Sequence, residues 1–373
     1  MSRLRILYLV NAFEHDSPTL LCREIARGSV NRGHEVVMMA WSRTGPLEVE
    51  LQRDGIAPTS VDKSLVRLRK TLKGFKPHLV HTILARPTIV GAPVAKLAGV
   101  PVVVAGHHGV HEWEEKGRVA SFVAPRLFRL SARYVDCFAA VSGSAADELR
   151  DNGISSQKVQ VLPNGIDTEQ FSSCEETSGL DVRRELFPDD DVFAIQVIGS
   201  LGNLRPVKGY MELLRAAAAI SKSCPSARFV IWGEGPLRED LEAAIGLMSL
   251  TPVFKLPGKT NDAAGCLRAC DVYVQPSQRE SFGMAIGEAM ACGLPVVVAN
   301  AGGLPELVAD SGIVYTEGSA GLEKAIIDLL KDAGERRRLG AAARLRIAEQ
   351  FSRRRMVESY MALYDQLAAK AGL

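Results

Sequence analysis

The feature that most limits what this chain can fold into is an alternation that runs through it twice. Short, almost continuous apolar runs recur at residues 5–10, 36–40, 79–83, 101–105, 137–141 and 159–163. Stretches with helical spacing lie among them, at about 19–32, 88–98 and 118–134. Strands apolar on both faces are buried on both faces, the condition of a parallel sheet covered by crossover helices. The alternation pauses over a polar stretch, then restarts with runs at 192–198, 228–232, 253–256, 272–275 and 296–299. Two such series predict two doubly wound α/β domains, and 373 residues are too many for one ordinary domain. The expected partition is a first domain over 1–168, a linker over 169–191, a second domain over 192–350 and a closing helix over 351–373 that packs back on the first.

After the run at 272–275 the chain reads Glu280-Ser281-Phe282-Gly283-Met284-Ala285-Ile286-Gly287-Glu288. A strand feeding a tight turn into a helix N-terminus presents free amides and the positive end of a helix dipole, a natural seat for phosphate. Glu280, on the loop, can reach a group held in front of the helix. Glu288, a turn into the helix, can accept hydrogen bonds from a vicinal diol such as a ribose. Gly283 and Gly287 leave room for a ligand to approach the backbone. Taken singly, each glutamate reads more readily as a surface charge; the following strand and the Gly302-Gly303-Leu304-Pro305-Glu306 turn favour a site.

This stretch resembles the donor-site motif of glycosyltransferase family 4, retaining sugar-nucleotide-dependent transferases with the GT-B fold, two doubly wound Rossmann-like domains facing a central cleft. The resemblance covers nearly the whole chain and is strongest over 192–314. It implies transfer of a hexosyl-type sugar from a nucleoside-diphosphate sugar such as a UDP-sugar to a saccharide or lipid-linked acceptor. The setting it implies is polysaccharide, lipopolysaccharide or glycolipid biosynthesis. By the same resemblance Glu280 orients the sugar hydroxyls. Lys208, Arg205 and the amides at Gly283-Met284 stabilise the departing diphosphate in place of a metal, so no metal or other cofactor is expected. Phe282 belongs to the same donor stretch. Gly235 ends the strand facing the nucleotide, Leu256 lines the base, and His108, of the pair His108-Gly109, lies near the donor phosphate or sugar. Two departures stand out. Asn203 occupies the place where the family carries an arginine, with Arg205 two residues further on to supply the guanidinium. Residues 11–18 lack the family's glycine pair. A sugar-nucleotide 2-epimerase and a non-catalytic sugar-nucleotide-binding partner subunit remain as alternative functions.

The charge balance divides the chain. Residues 1–165 hold 22 Lys+Arg against 15 Asp+Glu, whereas the remainder holds 23 against 28. Different partners for the two halves follow, and nothing in the balance calls for nucleic acid. Lys116, Arg118, Arg126, Arg129 and Arg133 interleave with Val119, Phe122, Val123, Leu127, Phe128 and Leu130 over 116–133. Such a helix either lies on an anionic membrane surface or packs on the sheet with solvated arginines. No apolar run is long enough to span a bilayer and no leader pattern opens the chain, so the expected location is cytoplasmic, extending to the inner face of the membrane. Seven scattered cysteines (Cys22, Cys137, Cys174, Cys224, Cys266, Cys270, Cys292) read as free thiols. His107, His108 and His111 could suggest metal ligation, but consecutive residues at a strand end point to opposite sides and no carboxylate completes a set.

Overall fold

A computed structural model describes residues 3–109, 118–172 and 179–373. The chain divides into two compact units, one of residues 1–165 with 353–373, the other of 166–352.

The first unit is built on seven parallel strands: β1 (Arg5–Ala12), β2 (Glu35–Arg43), β3 (Ala57–Ser60), β4 (Leu79–Ile83), β5 (Val102–His107), β6 (Cys137–Ala140) and β7 (Val159–Val161). Their order across the sheet is β3-β2-β1-β4-β5-β6-β7. The core strands are those whose apolar runs are legible in the sequence. β3, not expected, reads Ala-Pro-Thr-Ser and sits at the sheet edge, where a proline costs no ladder bond.

One buried polar knot joins this sheet to the end of the chain. His81, in the middle of β4, is fully buried, and its Nδ1 lies 2.6 Å from the Tyr364 hydroxyl. Tyr8 and Tyr360 pack their rings against the same imidazole. Tyr364 belongs to the last helix, Arg353–Lys370, which approaches the helix Ser17–Asn31 at Gly28 and ties Asp365 to Arg32 at 3.1 Å.

In the second unit six parallel strands take the order β10-β9-β8-β11-β12-β13. They are β8 (Gln196–Leu201), β9 (Ala227–Trp232), β10 (Phe254–Gly258), β11 (Val272–Gln275), β12 (Val296–Ala299) and β13 (Ile313–Tyr315). Leu213, Leu214 and Ile220 from the helix Tyr210–Ser223 pack with Phe229, Phe254 and Ile326 over one face. From β8 the chain winds one way to β10, then returns to the other side for β11. The reversal therefore falls between β8 and β11, and the loops leaving their carboxyl ends meet there, where open α/β sheets bind ligands.

Two expectations need correction. The stretch 169–191 is not a linker: its described residues belong to the second unit and carry the helix Leu180–Leu186. Arg183 on that helix donates to the Ala269 carbonyl at 2.8 Å and pairs with Asp271 at 3.0 Å, and Phe187 is buried. A polar composition concealed these two attachments. Residues 173–178, Cys174 among them, lie outside the described residues. The first strand of this unit begins at Gln196 rather than 192. Asp191 accepts from the Phe193 amide at 3.0 Å and holds a turn there, leaving Phe193 in solvent despite its apolar character.

The buried knot generates a prediction. Burial, then the charge of His108, pushes the His81 imidazole down to about 3, so the folded protein keeps it neutral. The unfolded chain protonates the same ring below about 6.5. Its stabilising contribution is therefore complete above pH 6.5 and is lost as pH falls toward 3, at up to ~1.4 kcal/mol per pH unit. Tyr364→Phe, which strips a buried ring nitrogen of its partner, should cost about 1–3 kcal/mol at neutral pH in urea unfolding. Identical unfolding midpoints at pH 7.5 and pH 5 would contradict this account of His81.

Candidate functional site

Three loops of the second unit are locked together at the reversal by backbone contacts that leave no space for side chains. After β8 the chain passes a turn at Pro206–Lys208 and reaches Gly209, at φ +70°, where a Cβ would stand 1.9 Å from the Pro276 carbonyl oxygen. Beside it the Gln278 amide donates to the Val207 carbonyl at 2.8 Å. After β12, Gly302, at φ +54°, brings its backbone so close to the Glu280 carbonyl that a Cβ would fall 2.0 Å from that oxygen. The Gly303 amide donates to the same carbonyl at 2.8 Å. The loop that carries Glu280 is thereby held from two neighbouring loops.

Its side chain is held as well. Lys208 Nζ donates to Glu280 Oε2 at 2.6 Å, with the two side chains 23% and 19% exposed. Lys208 and Glu280 are 72 residues apart in the chain, and the reversal of strand order is what brings them together. Gly283 caps the helix Met284–Ala291 in a left-handed conformation, directly beyond the loop that bears Glu280. The first amides of a helix have no intrahelical acceptor, so this end of the sheet combines a lysine, a carboxylate and a helix N-terminus.

The other expected residues divide between support and surface. Phe282 is buried, its ring 5.8 Å from that of Phe351, so it fixes the loop and offers no ring face to a ligand at the donor. Glu288 lies a turn into the helix, partly buried. Asn203 and Arg205 are exposed on the loop after β8. Gly235 backs that loop, since a Cβ there would stand 2.5 Å from the Leu204 carbonyl oxygen. Leu256, on β10, is partly buried. His108 belongs to the first unit, just past β5, where burial and then His107 lower its imidazole to about 4. His107 is buried, with Nε2 3.5 Å from Glu148. Among the described residues no three His, Cys, Asp or Glu side chains gather to hold a metal; His111 lies outside them.

Sequence reasoning missed four side chains here. Arg238 clamps both oxygens of Glu234 at 2.7 Å and reaches the Leu256 carbonyl at 3.3 Å, tying the ends of β9 and β10. Tyr273, Gln275 and Ser277 form a buried polar row leading to Glu280. Two polar residues at i and i+2 closing an apolar strand were the available signal.

Two parallel, doubly wound units of this kind define the GT-B class of glycosyltransferase fold. HepE of Anabaena, solved in complex with UDP, superposes with a TM-score of 0.85 at 21% identity over 97% of this chain and all of that one. The model of Glycosyl transferases group 1 matches residues 190–346, and that of Glycosyltransferase Family 4 matches residues 20–170. The chain belongs to glycosyltransferase family 4. A UDP-Gal:alpha-D-GlcNAc-diphosphoundecaprenol alpha-1,3-galactosyltransferase of Escherichia coli is 32% identical over 64% of this chain and 62% of its own length. An N,N'-diacetylbacillosaminyl-diphospho-undecaprenol alpha-1,3-N-acetylgalactosaminyltransferase of Campylobacter jejuni is 27% identical over 85% of each chain. The chain spans less than two thirds of the length of the first curated relatives it matches.

The loop lock predicts the outcome of Gly302→Ala. A methyl at φ +54° against the Glu280 carbonyl should cost roughly 1–3 kcal/mol and displace the Glu280 loop. Hydrogen exchange at the Gly303 amide should accelerate with it. An unchanged melting temperature together with unchanged exchange would show that the contact does not hold the loop.

Proposed function

We propose that the chain is a retaining glycosyltransferase that moves a hexosyl sugar from a uridine-diphosphate sugar to a saccharide or lipid-linked acceptor in glycan biosynthesis. The observation that carries this reading is the Lys208–Glu280 pair at the strand reversal beside the Gly283-capped helix. Family membership supports it, as do the lipid-diphosphate acceptors in the names of the relatives and the UDP held by the structural neighbour.

Lys208 and Arg205 receive the diphosphate with the amides of Gly283 and Met284, so that charge developing on the leaving group is met by groups already in place. Glu280 orients the sugar hydroxyls and Glu288 the ribose diol. Leu256 borders the base, Gly235 and Asn203 shape the loop that faces the diphosphate, and His108 is assigned to the donor phosphate or sugar on the family resemblance alone. The acceptor attacks on the face from which the phosphate departs, and the departing phosphate oxygen takes its proton, which retains the anomeric configuration. Cationic side chains take the place of a divalent ion.

Pairing with Glu280 also sets what Lys208 can give a nucleotide. Lys208→Ala should weaken UDP binding roughly 10- to 100-fold, as expected for a lost charge-assisted hydrogen bond. Glu280→Gln should abolish transfer yet tighten UDP severalfold, because the lysine loses its internal counter-ion. Calorimetric titration with UDP and transfer assays with EDTA present test both, and NMR of the product gives the anomeric outcome. Wild-type transfer by Glu280→Gln, inversion at the anomeric carbon, or a requirement for added Mg²⁺ or Mn²⁺ would each refute the part of the mechanism it addresses.

Peripheral attachment to an anionic membrane completes the proposal. On the helix Arg118–Ser131, Phe122, Val123, Leu127 and Leu130 are exposed beside Arg126 and Arg129, while Phe128 turns into the core. Arg126, Arg129, Arg133 and Lys158 line a cavity of about 480 Å³ next to them. Lys116 falls outside the described residues, as do the side chains of Arg118 and Val119. Among the described residues no helix is long and apolar enough to cross a membrane. Flotation with phosphatidylglycerol vesicles should show binding that salt weakens, and that Arg126→Glu with Arg129→Glu reduces. Absence of binding at low salt would make this an ordinary packed helix.

A further inference from the structure

Behind Glu280 lies a row of polar side chains for which the mechanism so far has no use. Tyr273 and Gln275 lie on β11 and Ser277 two residues beyond, so the three share one side of the strand. Tyr273 and Ser277 are fully buried and Gln275 is 1% exposed. Polar groups at this depth are costly unless each is satisfied, and an apolar row would fill the same space more cheaply.

From Gln275 onward the hydrogen bonds of this row run in one direction, toward Glu280. The Leu201 amide donates to the Tyr273 hydroxyl at 3.2 Å, and that hydroxyl has two acceptors within reach, the Leu201 carbonyl at 3.2 Å and Gln275 Oε1 at 3.0 Å. Gln275 Nε2 donates to Ser277 Oγ at 2.9 Å, and Ser277 donates to Glu280 Oε2 at 3.4 Å. The directed part of the row starts at the Gln275 side-chain amide and ends on the carboxylate. Burial holds the Tyr273 phenol well above its ordinary range, so its proton stays in place at any working pH. Aligned donors polarise one another, which strengthens the last bond in the series.

We propose that Gln275 and Ser277 are positioning residues for glycosyl transfer. Gln275 holds Ser277, and Ser277 with Lys208 occupies Glu280 Oε2 and so presents Oε1, which takes no hydrogen bond among the described residues, to the sugar of the donor. This rests on the donor-site reading above. Lys208 alone could hold the carboxylate at one oxygen, but the donor diphosphate competes for that lysine. Ser277 remains when Lys208 turns to the phosphate, so the carboxylate keeps its orientation at the moment the sugar needs it.

The test is steady-state turnover of UDP-glucose, UDP-galactose and UDP-N-acetylglucosamine, read as UDP release, for the wild type and for Ser277→Ala, Ser277→Thr, Gln275→Met and Glu280→Ala. Ser277→Ala should lower kcat about tenfold, the loss expected for one hydrogen bond to a charged group, with KM and the UDP Kd changed less than about twofold. Ser277→Thr, which keeps the hydroxyl, should recover most of the rate, and Gln275→Met should repeat the Ser277→Ala defect. A row that serves stability alone would lower the melting temperature of Ser277→Ala and Gln275→Met and leave kcat unchanged in whichever of them folds. That outcome, with Glu280→Ala inactive, overturns the positioning role and spares the donor site. No turnover by the wild type, or full turnover by Glu280→Ala, overturns the donor-site reading and this inference with it.

Discussion

The second unit depends on a constraint of parallel sheets: every strand ends at the same edge, so the loops that leave those ends must share a small space. At the reversal between β8 and β11 they share it by bringing backbone against backbone, with Gly209 on the Pro276 carbonyl and Gly302 on that of Glu280. Contacts of this kind tolerate almost no displacement, because van der Waals repulsion rises steeply and no flexible side chain lies between to absorb it. The rigidity is useful here. A carboxylate and a lysine from distant parts of the chain are set within hydrogen-bond distance by the scaffold, and neither needs to search for its place when a ligand arrives.

The pairing also answers a problem of charge. Without a partner Lys208 would lie largely buried and uncompensated. The Glu280 carboxylate beside it supplies the counter-charge. The same economy accounts for Arg238, which neutralises Glu234 and closes the ends of β9 and β10 in one arrangement.

Much of this was legible in the amino-acid sequence. The apolar runs located the central strands of both sheets, because burial on two faces leaves no freedom of composition. The chain from Val272 to Glu288 announced a strand, a turn and a helix in that order. What escaped notice did so for physical reasons. β3 is an edge strand and need not be apolar, and β8 is preceded by an exposed apolar turn that mimics it. The helix Leu180–Leu186 is attached by one arginine and one phenylalanine within a polar segment. Phe282 was placed at the ligand because of its position in the motif, yet its ring is spent on packing. The row from Tyr273 to Ser277 is invisible to periodicity. Its meaning lies in which atom donates to which, and that is settled only in three dimensions.

The helix Arg353–Lys370 completes the first unit although nearly two hundred residues of the second precede it. During synthesis the chain emerges from its amino end, so β1 and β4 leave the ribosome long before the tyrosines that cover His81. The second unit, continuous from Ile166 to Ser352, has all its parts in hand earlier. The unit begun first is therefore finished after the second, and until the helix Arg353–Lys370 emerges it waits with an open seam between β4 and the helix Ser17–Asn31. A nascent chain with such a seam is a natural client for chaperones, and a truncation ahead of Tyr360 would leave it open for good.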